Sequence, residues 1–416
     1  MKIRIKRRSK LQLDNVMLFL AMFFVFSYAL LEHVSISISL FSMVKTPLLL
    51  AGGVCILFRS PLILHSCRKR KYFYVILTLV LMCLLLMISA FANRNPAYGT
   101  DTLRGNLRLV IFLIELFAMA IWIAEEGKSD VTIRFLFRYL LILVVITDIL
   151  LLTRLIVFHS GRHETYLIGT KFTVAYYHMD LLVLWFIRND MRFHRGGKSK
   201  RYILPAILIL LAVSIRVDCM TGVIGCVALF CFLAMLNTKF QRYFVHFSSP
   251  VLLTLFLAAS VIFPFVAEQL VSTTFVSYML ERVLQRSTTL TGRLSVFAVF
   301  VQKTYEHWLW GYGVSNGNAA SMGMFNLANT QNALLQWILE GGIPVTMMLV
   351  FLMLLVFHQL SKSPRRNQIM PMAVLVYVYV VLGTVETTFN LNVILWLAII
   401  FMQITAKQPR TIPAEE

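Results

Sequence analysis

The chain has 416 residues, 59% of them hydrophobic and only 14% charged, with a formal net charge of +20. A soluble domain carries about 25% charged residues, so an ordinary soluble enzyme is excluded. The basic residues stand in short clusters between apolar runs and not on one soluble face, which argues against nucleic acid as a partner.

Apolar runs of roughly 17–25 residues, the length that crosses a bilayer as helix, recur along the chain. The pattern predicts twelve spans, at about 16–31, 38–58, 72–91, 107–124, 134–157, 172–188, 202–217, 219–236, 249–267, 332–357, 370–386 and 391–405. Backbone groups in lipid must be satisfied internally, so the expected fold is an all-α polytopic membrane bundle. A membrane barrel would need segments of about ten residues with alternating polarity. The opening MKIRIKRRSKLQLDN precedes an apolar run with no small-residue cleavage site, which predicts an uncleaved first helix. No soluble domain, linker or repeat stands out, so 1–416 reads as one membrane domain. Its large outer loop, 268–331, separates spans nine and ten.

Orientation follows from the basic residues of the loops. With both termini in the cytoplasm, 27 of the 39 lysines and arginines lie inside. The bias fails only at 125–138, whose three basic residues are matched by three at 94–108. The other twelve are nine arginines and three lysines: Lys45, Arg94, Arg104, Arg108, Arg154, Arg162, Lys171, Arg216, Arg282, Arg286, Arg293 and Lys303. An arginine fork donates two parallel hydrogen bonds to phosphate oxygens. Each of these residues can equally be an interfacial, snorkelling side chain. Together they suggest an anionic headgroup as ligand.

The six cysteines lie in or beside apolar runs without C-x-x-C spacing, and read as packing residues with no metal site or disulfide framework. The outer histidines, His159, His163, His178 and His307, have no metal spacing.

Four stretches carry polar groups suited to chemistry. The outer segment 93–108 holds Arg94, Asp101, Arg104 and Arg108, the last two four apart. SIRVDCMTG (214–222) sets Arg216 and Asp218 at a tight turn between two apolar helices, either as a local ion pair or facing a shared cavity. In TLTGRLSVFAVFVQKTYEHWLWGYG, Thr291 is a helix N-cap. Leu294, Phe297, Ala298, Val301, Tyr305 and Trp308 recur at helical spacing, which predicts one apolar face on an interfacial amphipathic helix. Arg293 falls in its first turn, beside free N–H groups that favour an anion. Lys303 lies off the apolar face, and Arg286 sits in the loop before it. Finally, NTQNALLQWILEGGIP puts Gln331 and Asn332 at the mouth of span ten and Glu340 just before a Gly-Gly-Ile-Pro break, where Pro344 should kink the helix. Glu340 reads either as a functional carboxylate or as one tied to backbone or to an outer arginine.

The order of these pieces resembles the O-antigen ligase and polymerase superfamily of bacterial envelope glycosyltransferases, and is most similar to polymerases of O-antigen, capsule or exopolysaccharide repeat units. The likeness rests on 214–222 and 291–343, with the spans and the late outer loop in support. It implies a GT-C-like bundle in the bacterial cytoplasmic membrane. It also implies an undecaprenyl-diphosphate-linked oligosaccharide as substrate, no metal, cofactor or nucleotide sugar, membrane lipid around the chain, and a chain-length regulator protein as partner. By motif, Arg293 matches the family's Gly-Arg, and Arg216 its arginine at the turn between helices seven and eight. The chain departs where ligases show His-Asn. It has Gln331-Asn332, and glutamine cannot act as a general base.

The chemistry is coherent beside the likeness. Arginines Arg216 and Arg293 stabilise the departing diphosphate, and Glu340, Asp218 or Asp101 takes the acceptor's proton. Arg94, Arg104, Arg108, Arg286, Lys303, Gln331 and Asn332 are the substrate-binding candidates. The competing expectations are a ligase acting on another acceptor, and a transporter or flippase of lipid-linked sugar. Transporters carry inverted repeats and midplane polar sites. This sequence has no repeat, and its polar residues gather at one end of the spans.

Overall fold

Each of the twelve apolar runs forms a helix in the computed structural model, which describes residues 2–31, 38–94, 98–99, 102–153, 158–160, 163–193, 203–236, 243, 245–273, 278 and 293–407. The helices that begin the chain are α1 (Lys2–Leu31), α2 (Ile38–Leu57), α3 (Ser60–Cys67), α4 (Arg70–Ala92), α5 (Thr102–Glu126) and α6 (Ser129–Thr153). Then come α7 (Lys171–Phe193), α8 (Ile203–Arg216), α9 (Met220–Leu236) and α10 (Pro250–Val271). The outer segment holds α11 (Arg293–Thr304) and α12 (Gly317–Phe325), and α13 (Ala333–Ser361), α14 (Arg366–Leu382) and α15 (Leu391–Thr405) close the chain.

Among the described residues, six helices are long and apolar enough to cross a membrane, seven if α2 and α3, bent by 76°, are one broken span. Helix α15, at 15 residues, is about 22 Å long, short of the roughly 30 Å hydrocarbon core. Helix α7 has the length, but carries His178, Asp180 and Arg188.

The outer surface is that of a membrane protein. On α4, Phe73, Tyr74, Leu77, Val80, Leu81, Leu84, Ile88 and Phe91 are all exposed. Their spacing of three and four lines one side of the helix, and such a stripe would be a liability in water. Helices α14 and α15 are apolar all round and buried almost throughout, as core helices are.

Polar groups gather at both ends of the bundle. At one end Glu125 accepts from Lys69 (2.7 Å), Lys407 (2.7 Å) and the Tyr72 hydroxyl (3.0 Å), with Lys71 at 3.3 Å. Beside it Glu126 pairs with Lys128, and Arg59 with Asp14. These cations come from segments expected to face the cytoplasm. The opposite end carries the site described below.

A small antiparallel sheet, β1 (Phe158–Ser160), β2 (His163–Tyr166) and β3 (Gly169–Thr170), lies between the fifth and sixth expected spans. Phe158 faces Thr165, and Tyr166 faces Gly169. The fifth helix starts at Thr102, ahead of the expected 107–124, and carries Arg104 and Arg108 four apart on one helix, as expected. Asn106, fully buried between them, donates to Leu86 O at 2.7 Å and draws this polar stretch into the helix.

Candidate functional site

Helix α13 is broken where Pro344 and the glycines lie. Gly342 has φ +81° and ψ 174°, far from helical values. Pro344 has no N–H, which strands the Glu340 carbonyl. The break also separates Ile343 N–H from Leu339 O, its partner in a regular helix. All three released groups are taken by the segment 308–313. Gly313 N–H donates to Glu340 O, Tyr312 N–H to Leu339 O, and Ile343 N–H to Trp308 O, each at 2.8 Å.

The other side of this segment rests on α4 and α5. Trp310 O accepts from the Ser89 hydroxyl and from Asn93 Nδ2 at 3.4 Å. Val314 N–H donates to Asn106 Oδ1 at 3.0 Å. Thr102 packs on Gly313, and Gly105 on Ser315. Arg94 directly follows Asn93 and Arg104 directly precedes Gly105, and both arginines are exposed. Arg108 is half-buried and donates from Nη2 to Thr46 Oγ1 at 2.8 Å. Within the clamp, Tyr312 stacks on His307 with ring centroids 4.1 Å apart. Burial pushes its phenol above the usual range, and Tyr98 and Glu306 act in the same direction.

Glu340 stands at this break, partly exposed. Gln336, one turn earlier on α13, donates from Nε2 to Glu340 Oε1 at 2.7 Å. The Gln336 Oε1 accepts from Thr330 N–H at 3.0 Å. Gly317, which opens α12, closes over the pair, and a Cβ there would lie 2.3 Å from Glu340 Cγ.

Asn332 is the cap of α13. Its Oδ1 accepts from Leu334 N–H and Leu335 N–H, both at 3.0 Å, which is an N-cap bond pattern. Its Nδ2 donates to Ser260 O at 3.0 Å and Thr384 O at 3.2 Å. An amide side chain has two acceptor and two donor positions. All four are used in the fold, so Asn332 positions the helix and has none left for a substrate. Gln331 has φ +57° and donates from both its main chain and its side chain to Asn329 Oδ1.

Asp218 pairs with Lys171, whose Nζ lies 3.5 Å from Oδ2 and donates to the Asp218 carbonyl at 2.9 Å. Lys171 thus pairs with Asp218, which takes φ +50° at the turn. Arg216 ends α8 and is exposed. Arg293 opens α11 as expected, and its side chain lies outside the described part of the structure, as do Thr291, Arg286 and Asp101. Lys303 is exposed in the last turn of α11.

Helix α11 buries a second apolar face beside the one expected to lie in the interface. Val296, Phe297, Phe300 and Thr304 point inward, the three apolar ones onto Ala267, Tyr312, Leu335 and Leu339. Val301, Tyr305 and Trp308 are exposed, and the α-helix ends at Thr304. Two apolar stripes run side by side on this helix. The packing partners, which lie far away in sequence, select one of them.

Sequence reasoning passed over several buried polar groups. Gln336 was legible as a partner four residues before Glu340. Asp180, fully buried on α7, accepts from the Tyr379 hydroxyl at 2.6 Å and from Trp396 Nε1 and Asn392 Nδ2, each at 2.7 Å. His178 lies 3.2 Å from Asp148 Oδ2, inside the bundle and not in an outer loop. Glu115 is buried against Gly52 and Gly53. An ionisable residue inside an apolar run is the signal for each of these acids. Glu386 is buried in the turn between α14 and α15.

No family model matches the chain, and no curated protein or solved structure matches it. The site therefore has to be read from its own chemistry. Among the described residues no group of three or more His, Cys, Asp and Glu side chains is arranged to hold a metal ion. The clamp offers a carboxylate held by Gln336 and a main-chain scaffold, and the two segments it rests on carry the exposed Arg94 and Arg104. Such a set suits a substrate that carries both hydroxyl groups and phosphate.

Proposed function

We propose that the chain is a membrane glycosyltransferase that polymerises undecaprenyl-diphosphate-linked oligosaccharide repeat units on the outer face of the bacterial cytoplasmic membrane. The observation that carries the reading is the clamp at 308–314, which joins the Glu340 break of α13 to the segments bearing Arg94 and Arg104. The likeness of 214–222 and 291–343 to envelope polymerases supports it. In this reading all twelve long apolar segments cross the membrane in a GT-C-like bundle with both termini inside. The lysine- and arginine-rich Glu125 end faces the cytoplasm, as the positive-inside bias requires.

Transfer from a diphosphate needs stabilisation of the charge that grows on the leaving group. Guanidinium groups of Arg94, Arg104, Arg216 and Arg293 supply it without a metal. The acceptor hydroxyl needs a base, and Glu340 is the best supported of the three acids. Asp218 is exposed and ion-paired with Lys171, and Asp101 lies outside the described residues. A single displacement inverts the anomeric carbon, so a product that keeps the donor's configuration would rule that route out.

The test is a deletion strain complemented with wild type, Arg293→Ala or Arg216→Ala, with surface glycans and lipid-linked intermediates resolved. The expected result is loss of the long-chain ladder in the variants while single repeat units still reach the surface. Long chains left on undecaprenyl diphosphate would identify a ligase instead. Intermediates held on the cytoplasmic side would identify a flippase.

A further inference from the structure

The corner between α3 and α4 reads Arg68-Lys69-Arg70-Lys71, an unbroken run of cations. They divide by residue type. Both lysines turn inward onto the buried Glu125, and Lys71 also donates to Thr405 O at 2.8 Å. Both arginines are exposed, and among the described residues neither has an ion pair. The carboxylate is thus shared by Lys69, Lys71 and Lys407, and the corner keeps two guanidinium groups without an anion. Arginine is the better of the two cations for phosphate oxygens, because its planar fork can donate two parallel hydrogen bonds.

An apolar surface continues from this corner. Phe73, Tyr74, Leu77 and Leu81 follow Arg70 at helical spacing, so they share its face of α4, and all are exposed. At 1.5 Å per residue, the run from Arg70 to Leu81 covers about 16 Å, roughly half of the 30 Å hydrocarbon core and so the depth of one leaflet. On the other side of the corner, Leu64 of α3 stands one turn before Arg68 and is 66% exposed.

We infer that Arg68 and Arg70 form a headgroup site for an anionic phospholipid, with both guanidinium groups on its phosphodiester and an acyl chain along Phe73, Leu77 and Leu81. Charge and shape both select this occupant. A zwitterionic headgroup brings its own cation and gains less from the arginines. A soluble phosphate would leave the adjoining apolar stripe unused. The inference needs a bundle embedded in a membrane and does not rest on the glycosyl transfer proposed above.

The probe is dioleoyl phosphatidylglycerol, titrated against dioleoyl phosphatidylcholine into the full-length protein in detergent, with bound lipid counted by native mass spectrometry. The wild type should prefer the anionic lipid. A basic residue at a membrane surface contributes about fivefold, so Arg68→Gln/Arg70→Gln should lower that preference by roughly tenfold to thirtyfold. Arg68→Lys/Arg70→Lys keeps the charge without the fork, and should fall between the two. Lys362→Gln/Arg366→Gln removes the same charge from the same end of the bundle, where Gln359 donates to Lys71 O, and should leave most of the preference in place. No preference in the wild type, or an unchanged preference in the glutamine variant, would overturn the inference. So would a lysine variant equal to wild type, or an equal loss in the Lys362 and Arg366 control, since either would reduce the site to diffuse charge. Displacement of the lipid by inorganic phosphate at the same concentration would overturn it as well, and would mark the site of a soluble anion.

Discussion

Gly342 and Leu309 touch main chain to main chain: a Cβ on Gly342 would stand 2.1 Å from the Leu309 carbonyl oxygen. The contact exists because the break in α13 lets the 308–313 segment lie against the opened backbone. Gly342 also has φ +81°, a region that side chains with a Cβ rarely adopt. Gly342→Ala therefore meets both a clash and backbone strain, and should cost more than about 2 kcal/mol. Thermal unfolding of the purified protein in detergent checks this, with Gly127→Ala as the control. Gly127 also has positive φ, but the nearest atom to its Cβ is 3.5 Å away. Equal losses in the two variants would mean that the clamp contributes nothing beyond φ.

The Asp180 carboxylate accepts from three neutral donors on two other helices. Asp180→Leu leaves all three buried without that acceptor, at about 1–3 kcal/mol each. Trp396→Phe removes one donor and leaves the carboxylate with two. The melting temperature should fall much further for Asp180→Leu than for Trp396→Phe. A leucine variant as stable as wild type would show that the network adds no stability.

Glu125 is 1% exposed, whereas the Lys407 side chain that pairs with it is 56% exposed. Removing the buried partner leaves Lys69, Lys71 and Lys407, 38%, 39% and 56% exposed, without their carboxylate, and the buried Tyr72 hydroxyl without its acceptor. The lysines are screened by water, so Glu125→Ala should cost about 1–3 kcal/mol, chiefly at Tyr72. An exposed partner is screened by water, and Lys407→Ala should cost at most about 1 kcal/mol. Chemical denaturation of Glu125→Ala and Lys407→Ala measures the asymmetry.

Ser315 and Lys407 are both exposed and lie at opposite ends of the bundle. In the orientation proposed here, Ser315→Cys reacts with a membrane-impermeant maleimide in intact cells. Lys407→Cys reacts only after permeabilisation. Labelling of both from one side would overturn the orientation.

Much of the helical framework was legible because it depends on local periodicity and on the solvation of backbone groups. Each apolar run became a helix, and the Pro344 break and the start of α11 at Arg293 fell where their residues indicated. The polar cap at Asn332 also had a local signal, an asparagine just before an apolar run. The clamp at 308–314 had none, since its partners Ser89 and Trp310 are 221 residues apart.

What the sequence determined by itself is therefore the membrane class, the position of the helices and the place where α13 must open. Hydrophobicity and the missing proline N–H act within a few residues and need no partner. Tertiary structure decided which stripe of α11 is buried, that Asn332 spends its amide on the fold, and that Gln336 takes hold of Glu340. Those outcomes depend on which distant surface supplies the complementary donor, acceptor or apolar face, and packing alone brings such surfaces together.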